Sequence, residues 1–276
     1  MALRARVNGE EIGSIPVDDR GLAYGDGLFE TIAVYQGRPL LLAAHLDRLK
    51  SGLDALQFFD PPGSDELRSE IELVSADVAR GVIKLILTRG DGLRGYDPTS
   101  ASAVRTIVIL NPWPEYTTSR KDGMRVGLCR LVLSSQHVLA RIKHLNRLEH
   151  VVARAEWNED WQEALLKDQH DRVVSGTQSN FFFTNGEALF TPPIVDCGVA
   201  GVMRETVIRC AQQLGFACEE KPLKDSELTE VEQAFMTNSL LGIGPVAELC
   251  GRAVKIGPMI RQLQAHLYEN ELVVPD

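Results

Sequence analysis

The sequence predicts an α+β protein of two lobes. Strand-like segments recur along the chain without the regular strand–helix alternation that a doubly wound sheet demands. A proline-broken NPWP segment (111–114) and a polar stretch after it read as a connection between domains. The 276 residues then divide into a smaller N-terminal lobe (1–114), a connection (115–122) and a larger C-terminal lobe (123–276). A cleft between such lobes is the default place for a ligand.

In the first lobe, residues 4–7, Asn8-Gly9 and 10–12 read as a hairpin, because Asn-Gly suits a type I′ turn. A second hairpin is expected from residues 29–35 and 38–42 around Gln36-Gly37. Leu42, Leu46, Leu49, Leu53 and Leu56 recur at helical spacing and define an amphipathic helix. Residues 66–79 predict another helix, and the apolar, β-branched runs 82–88 and 104–110 predict buried strands.

In the second lobe, residues 124–133 predict a strand and 146–157 a helix. Asn146 with Glu149 three residues later has the spacing of a capping box. Strands are expected at 164–166, 181–184 and 188–190, the last two joined by Asn185-Gly186. Helices are expected at 203–214 and 258–269.

Composition narrows the function classes. A hydrophobic share of 44% and a charged share of 24% supply a core without disulfides or structural metal. Five scattered cysteines, with no CxxC pair, fit reduced thiols in a cytoplasmic protein and argue against zinc. A net charge of −9 argues against nucleic acid or an anionic membrane as partner, and no apolar run reaches membrane-spanning length. The TRGDGLRGYD segment (88–97) lacks both the spacing and the following helix of a Rossmann or Walker loop. The six histidines form no ligand cluster, no HExxH occurs, and Ser175 and Ser179 lack a nucleophile elbow.

Lys143 stands out by its setting. It lies between an apolar stretch and a predicted helix start, where partial desolvation favours the neutral amine that carbonyl chemistry needs. The residues around it carry a resemblance. KHLNRLE (143–149) is similar to the cofactor-lysine segment of aminodeoxychorismate lyases. DRGLAYGDGLFET (19–31) resembles the N-terminal signature of the wider fold-type IV, branched-chain aminotransferase-like family of pyridoxal-phosphate enzymes. HLDRL (45–49) resembles that family's phosphate-arginine segment, SGTQSN (175–180) its EGTxSN segment, and GVAGVMR (198–204) its phosphate-binding turn. A looser match continues through 237–246, so nearly the whole chain is covered in order.

The resemblance implies the two-domain fold-type IV architecture, pyridoxal 5′-phosphate as cofactor, and a homodimer. It makes Lys143 the Schiff-base lysine and general base, with Thr31 a second catalytic residue beside it. Arg48, the backbone N–H groups of Val202 and Met203, and Ser239 become phosphate ligands, with the two N–H groups at a helix N-terminus. Read from the residues alone, Arg48 is a charge on the polar face of its helix, and Thr31 a β-branched strand residue. Ser175 departs from the family pattern, which has a glutamate there to pair with the protonated pyridine nitrogen. A hydroxyl stabilises that charge less, which handicaps transamination more than elimination; the equal alternative is a harmless variation, with another acidic group or a water at the nitrogen.

The activity implied is cleavage of 4-amino-4-deoxychorismate to 4-aminobenzoate and pyruvate. For this small dicarboxylate, Arg89, Arg94, Tyr24 and Asn238 are the candidate substrate residues. Two other readings stay open: a class IV aminotransferase acting on D-, branched-chain or other amines, and a cofactor-binding protein without catalysis.

Overall fold

The computed structural model describes residues 3–11, 13–114 and 121–275. Ile12 of the predicted hairpin and residues 115–120 of the predicted connection lie outside them. The chain forms two compact units. The first comprises residues up to Pro114 together with Ile142–Asn146, and the second comprises the remainder. The short second piece of the first unit carries Lys143, which the sequence reading assigned to the C-terminal lobe.

The first unit is built on a five-stranded sheet of β1 (Arg4–Val7), β2 (Gly27–Tyr35), β3 (Arg38–Pro39), β4 (Arg80–Thr88) and β5 (Arg105–Pro112), in the order β1-β5-β4-β2-β3. Every pairing in it is antiparallel. Asn8 and Gly9 both take positive φ, as a type I′ turn requires, and so do Gln36 and Gly37 between β2 and β3. Helix α1 (Arg20–Tyr24) precedes β2, and α2 (Leu42–Ala55) and α3 (Ser64–Ser75) follow β3.

The leucines of α2 at i, i+4, i+7 and i+11 are buried, and the helix packs on β2, whose Leu28, Ile32 and Val34 are buried. Each such side chain removed from water contributes about 1.5–3 kcal/mol. Helix α3 ends at Ser75, short of the predicted 79. The carbonyls of Val78 and Ala79 instead accept hydrogen bonds from Gly37 and Gln36, both at 2.9 Å, so the tight turn claims the helix's last residues.

The second unit holds β6 (Met124–Leu133), β7 (Glu163–Asp168), β8 (Val173–Gly176), β9 (Asn180–Thr184), β10 (Ala188–Thr191), β11 (Ala217–Glu220), β12 (Gln233–Asn238), β13 (Gly242–Leu249) and β14 (Arg252–Ala253). The main path runs β11-β10-β9-β12-β13-β6-β7-β8, with β14 paired to β13. It is a mixed sheet: β10–β11, β13–β6 and β6–β7 are parallel. Phe181, Phe182 and Phe183 make β9 wholly buried, and Phe182 stacks on Phe235 of β12 with centroids 4.8 Å apart.

Among the described residues, three α-helices complete this unit: α4 (Leu148–Ala155), α5 (Val202–Gln213) and α6 (Pro258–Glu269). Helix α4 is shorter than predicted, and the expected capping box does not form. Asn146 donates its side-chain amide to the Gly25 carbonyl (3.1 Å), while Glu149 accepts from the Ser134 backbone (2.9 Å). Arg147 therefore occupies the cap position, and its side chain does not cap the helix. Among the described residues, no helix is long and apolar enough to cross a membrane.

Candidate active site

In the first unit, residues 143–145 run as an extra strand segment beside the start of β2. Phe29 N–H donates to the Lys143 carbonyl and Leu145 N–H to the Gly27 carbonyl, both at 2.9 Å. This approach needs a glycine at 27, since a Cβ there would lie 2.4 Å from the Leu87 carbonyl oxygen and 2.7 Å from Leu145 Cδ1. Lys143 thereby faces Phe29, with Nζ 4.4 Å from the ring centroid, and is half-buried. Thr31, two residues along β2, projects from the same face as Phe29 and pairs in register with Lys84 of β4. Lys143 thus meets the face of β2 from which Thr31 also projects.

Glu30 points to the opposite face and is fully buried among residues of α2. Its carboxylate meets His45 Nδ1 at 2.6 Å and accepts from Arg48 Nε at 2.8 Å, with a second, very short bond to Arg48 Nη2. Burial alone would raise its pKa. The Arg48 charge and the His45 hydrogen bond outweigh that and hold it at about 2. Burial pushes the His45 imidazole below its usual range, further helped by the Arg48 and Lys143 charges and only partly opposed by Glu30. His45 Nε2 is buried without a hydrogen-bond partner. Arg48 is therefore no loose charge on a polar helix face: a bidentate carboxylate fixes its guanidinium.

The structure spends Arg89 elsewhere. Its guanidinium bonds Asp26 (2.9 Å) and the carbonyls of Leu56 (2.8 Å) and Gln57 (3.1 Å), and it lies 4.2 Å over Phe58. We reassign it from substrate residue to scaffold, because a side chain so fully engaged has little left for a ligand. Arg20 shares Asp26, and Arg105 joins Asp19 and Asp91. Tyr24 also works on the loop, its hydroxyl accepting from Gly95 N–H at 3.0 Å and its ring meeting Tyr96 edge-on. Arg94 is exposed on that loop.

In the second unit, the turn before α5 has the build of an anion cradle. Gly198 takes φ 92°, and Gly201 occupies the N-cap of α5 with no side-chain cap. A Cβ on Gly201 would lie 2.0 Å from Asn180 Oδ1, and Asn180 Nδ2 donates to the Val199 carbonyl at 3.0 Å. The N–H groups of Val202 and Met203 belong to this uncapped first turn, where the helix dipole favours an anion. Ser175 is buried, and its hydroxyl donates to the Gly176 carbonyl at 2.9 Å.

Beside it, the buried Glu163 organises the next turn. It accepts from Thr177 N–H (3.0 Å), Thr177 Oγ1 (2.6 Å), Gln178 N–H (3.3 Å) and Ser179 Oγ (2.5 Å). Asn238 is used in its own turn, accepting from Leu240 and Leu241 N–H and donating to the Gln178 carbonyl (3.3 Å); Ser239 is half-buried beside it. Sequence reasoning missed Glu30, His45 and Glu163. Glu30 did leave a signal, a carboxylate inside an otherwise apolar strand.

These donor sets suit pyridoxal 5′-phosphate on chemical grounds. A half-buried lysine amine matches its carbonyl. The fixed Arg48 guanidinium in the first unit is a donor of the kind a phosphate takes. So, taken by itself, is the uncapped helix start in the second, where even a Cβ on Gly201 would clash.

Comparison with known proteins places the chain in a family. Residues 27–249 match the class IV amino-transferase family, and the chain belongs to it. Within that class, the chain is 41% identical to 4-amino-4-deoxychorismate lyase from Pseudomonas aeruginosa, whose crystal structure superposes with a TM-score of 0.92. That match covers 97% of this chain and 99% of the other. Aminodeoxychorismate lyase of Vibrio harveyi is 33% identical over 95% of this chain and 98% of its own length. A putative branched-chain-amino-acid aminotransferase of Methanocaldococcus jannaschii is 31% identical over 92% of this chain and 90% of its own.

Proposed function

We propose that this protein is a pyridoxal-phosphate-dependent lyase converting 4-amino-4-deoxychorismate to 4-aminobenzoate and pyruvate, a step towards folate. The observation that carries the reading is the presentation of Lys143 on the Phe29–Thr31 face, in a chain that resembles lyases of this name along nearly its whole length. Lys143 would hold the cofactor's carbonyl. Arg48, the N–H groups of Val202 and Met203, and Ser239 would hold its phosphate, with Ser175 at its ring nitrogen. When bound, the cofactor makes the C–H beside the substrate amine acidic by withdrawing its electrons.

The Lys143 amine then acts as general base and takes the proton from C4 of the substrate ring. The C3–O bond breaks, its electron pair leaves with the enolpyruvyl oxygen, and the ring becomes aromatic. Lys143, now an ammonium, returns a proton to the enolpyruvate carbon with Thr31 beside it. No keto acid is consumed. The Ser175 hydroxyl, a weaker partner for a protonated ring nitrogen than a carboxylate, favours this elimination over transamination.

The protein is proposed to act in the cytoplasm as a homodimer. Five free thiols support the first. The exposed Leu148, Val151 and Val152 on α4 support the second.

The test is purified protein with aminodeoxychorismate and no keto acid, following 4-aminobenzoate fluorescence and the cofactor's visible absorbance. Multiple turnovers that disappear in Lys143→Ala are expected. Turnover only with an added keto acid would identify an aminotransferase instead, and binding with no turnover on any amine would leave a cofactor-binding protein.

A further inference from the structure

Strand β4 reads RGVIKLILT, and Lys84 is the one charge inside its apolar run. Lysine is depleted in strands, and a mid-sheet position such as this ordinarily takes a β-branched residue. Lys84 pairs in register with Thr31 on one side and Ile109 on the other, so it cannot leave the sheet. It is half-buried, with Nζ 5.3 Å from the centroid of the Phe29 ring. Lys143 Nζ lies 4.4 Å from the centroid of the same ring. The aromatic face offsets part of the cost of placing a cation here.

The neighbouring carboxylates of the unit are already matched to arginines: Asp19 and Asp91 to Arg105, Asp26 to Arg20 and Arg89, Glu30 to Arg48. Among the described residues none forms an ion pair with Lys84. A cation held in a central strand, beside the amine that meets the substrate and without an anion of its own, fits an anion brought by the ligand.

We propose that Lys84 is a specificity-determining residue that binds a carboxylate of the substrate and thereby selects anionic amines over neutral ones. The assignment rests on the reading of Lys143 as the cofactor-bearing lysine. It also supplies the substrate-side cation that Arg89, committed to Asp26, does not.

The experiment compares wild type, Lys84→Met, Lys84→Arg and, as a control, the exposed Lys50→Met, all in holoenzyme form. Product formation by the wild type is read first; its absence would defeat the lyase reading whatever Lys84 does. With turnover present, Lys84→Met is expected to raise KM about ten- to hundredfold with kcat within about threefold. Lys84→Arg should restore most of the loss, and Lys50→Met should change nothing.

Inhibition by 4-aminobenzoate against 4-aminobenzamide gives a second readout independent of turnover. Wild type should favour the acid about tenfold or more, and Lys84→Met should lose that preference while retaining cofactor and its absorbance. An unchanged KM and unchanged acid-to-amide ratio would overturn the proposal. So would a fall in kcat alone, which would mean that Lys84 acts through its charge on Lys143 and not on the substrate. If Lys84→Met fails to retain cofactor, Lys84→Gln carries the same inhibition test.

Discussion

Replacing Glu30 by glutamine tests the electrostatics of the candidate site directly. The side chain is 1% exposed and serves His45 and both Nε and Nη2 of Arg48. Removing one partner from a buried charge pair costs about 3–5 kcal/mol, because the other charge is left uncompensated. Linkage gives the same size by another route. A carboxyl lowered from 4.5 to about 2 contributes about 3 kcal/mol at neutral pH.

The pH course follows from the signs. The depressed pKa of Glu30 gives stability that is complete above about 4.5 and is lost as pH falls through about 2. His45 is also depressed, so the unfolded chain binds its proton first, and stability begins to fall once pH drops below the ordinary histidine value of 6.5. Urea unfolding of cofactor-free wild type and Glu30→Gln, followed by circular dichroism from pH 8 to 2.5, reads both effects. The gap at pH 7 should be about 3 kcal/mol and should shrink between pH 4.5 and 2.5, while both proteins weaken below pH 6.5. A gap under about 1 kcal/mol at pH 7, or one that stays constant down to pH 2.5, would refute the pairing as described.

Two further substitutions separate cradle from scaffold. Gly201→Ala places a Cβ 2.0 Å from Asn180 Oδ1 and must displace the amide that holds Val199; we expect pyridoxal phosphate to be released about tenfold or more faster on dialysis, with pyridoxal, which lacks the phosphate, little affected. Arg89→Met should lower stability by about 2–4 kcal/mol in urea, yet leave KM for aminodeoxychorismate within about twofold; a large KM effect with unchanged stability would restore Arg89 to the substrate.

The parts of the fold legible in the sequence were those whose chemistry is local. Asn8-Gly9 and Gln36-Gly37 turn as their positive φ demands, and the leucine spacing of α2 fixes its buried side. Predictions failed where a distant partner decides the outcome. Asn146 has the spacing of a helix cap but bonds Gly25, 121 residues away in sequence. Strand β13 went unread because Gly242, Gly244 and Pro245 weaken the strand pattern, whereas pairing with β12 and β6 holds it in the middle of the sheet. At the candidate site, motif resemblance singled out Lys143, Thr31 and Arg48. Glu30 was not, since its role exists only once α2 lays His45 and Arg48, 15 and 18 residues on, against β2.

The first unit divides its cations by chemistry. Arg20, Arg48, Arg89 and Arg105 all bond buried or half-buried carboxylates, where a planar fork that never loses its charge makes a fixed strut. The face that carries Thr31 is furnished with lysines, 143 and 84, over a single phenyl ring. An arginine at 143 could not give up its proton to become a nucleophile and base, and a lysine at 48 would lose the two-point grip of Glu30. On the proposed function, permanent charge serves positioning and removable charge serves the reacting face. A Lys143→Arg protein should consequently fold and keep its Glu30–His45–Arg48 cluster while losing turnover, so the loss would belong to proton transfer and amine chemistry and not to a collapsed site.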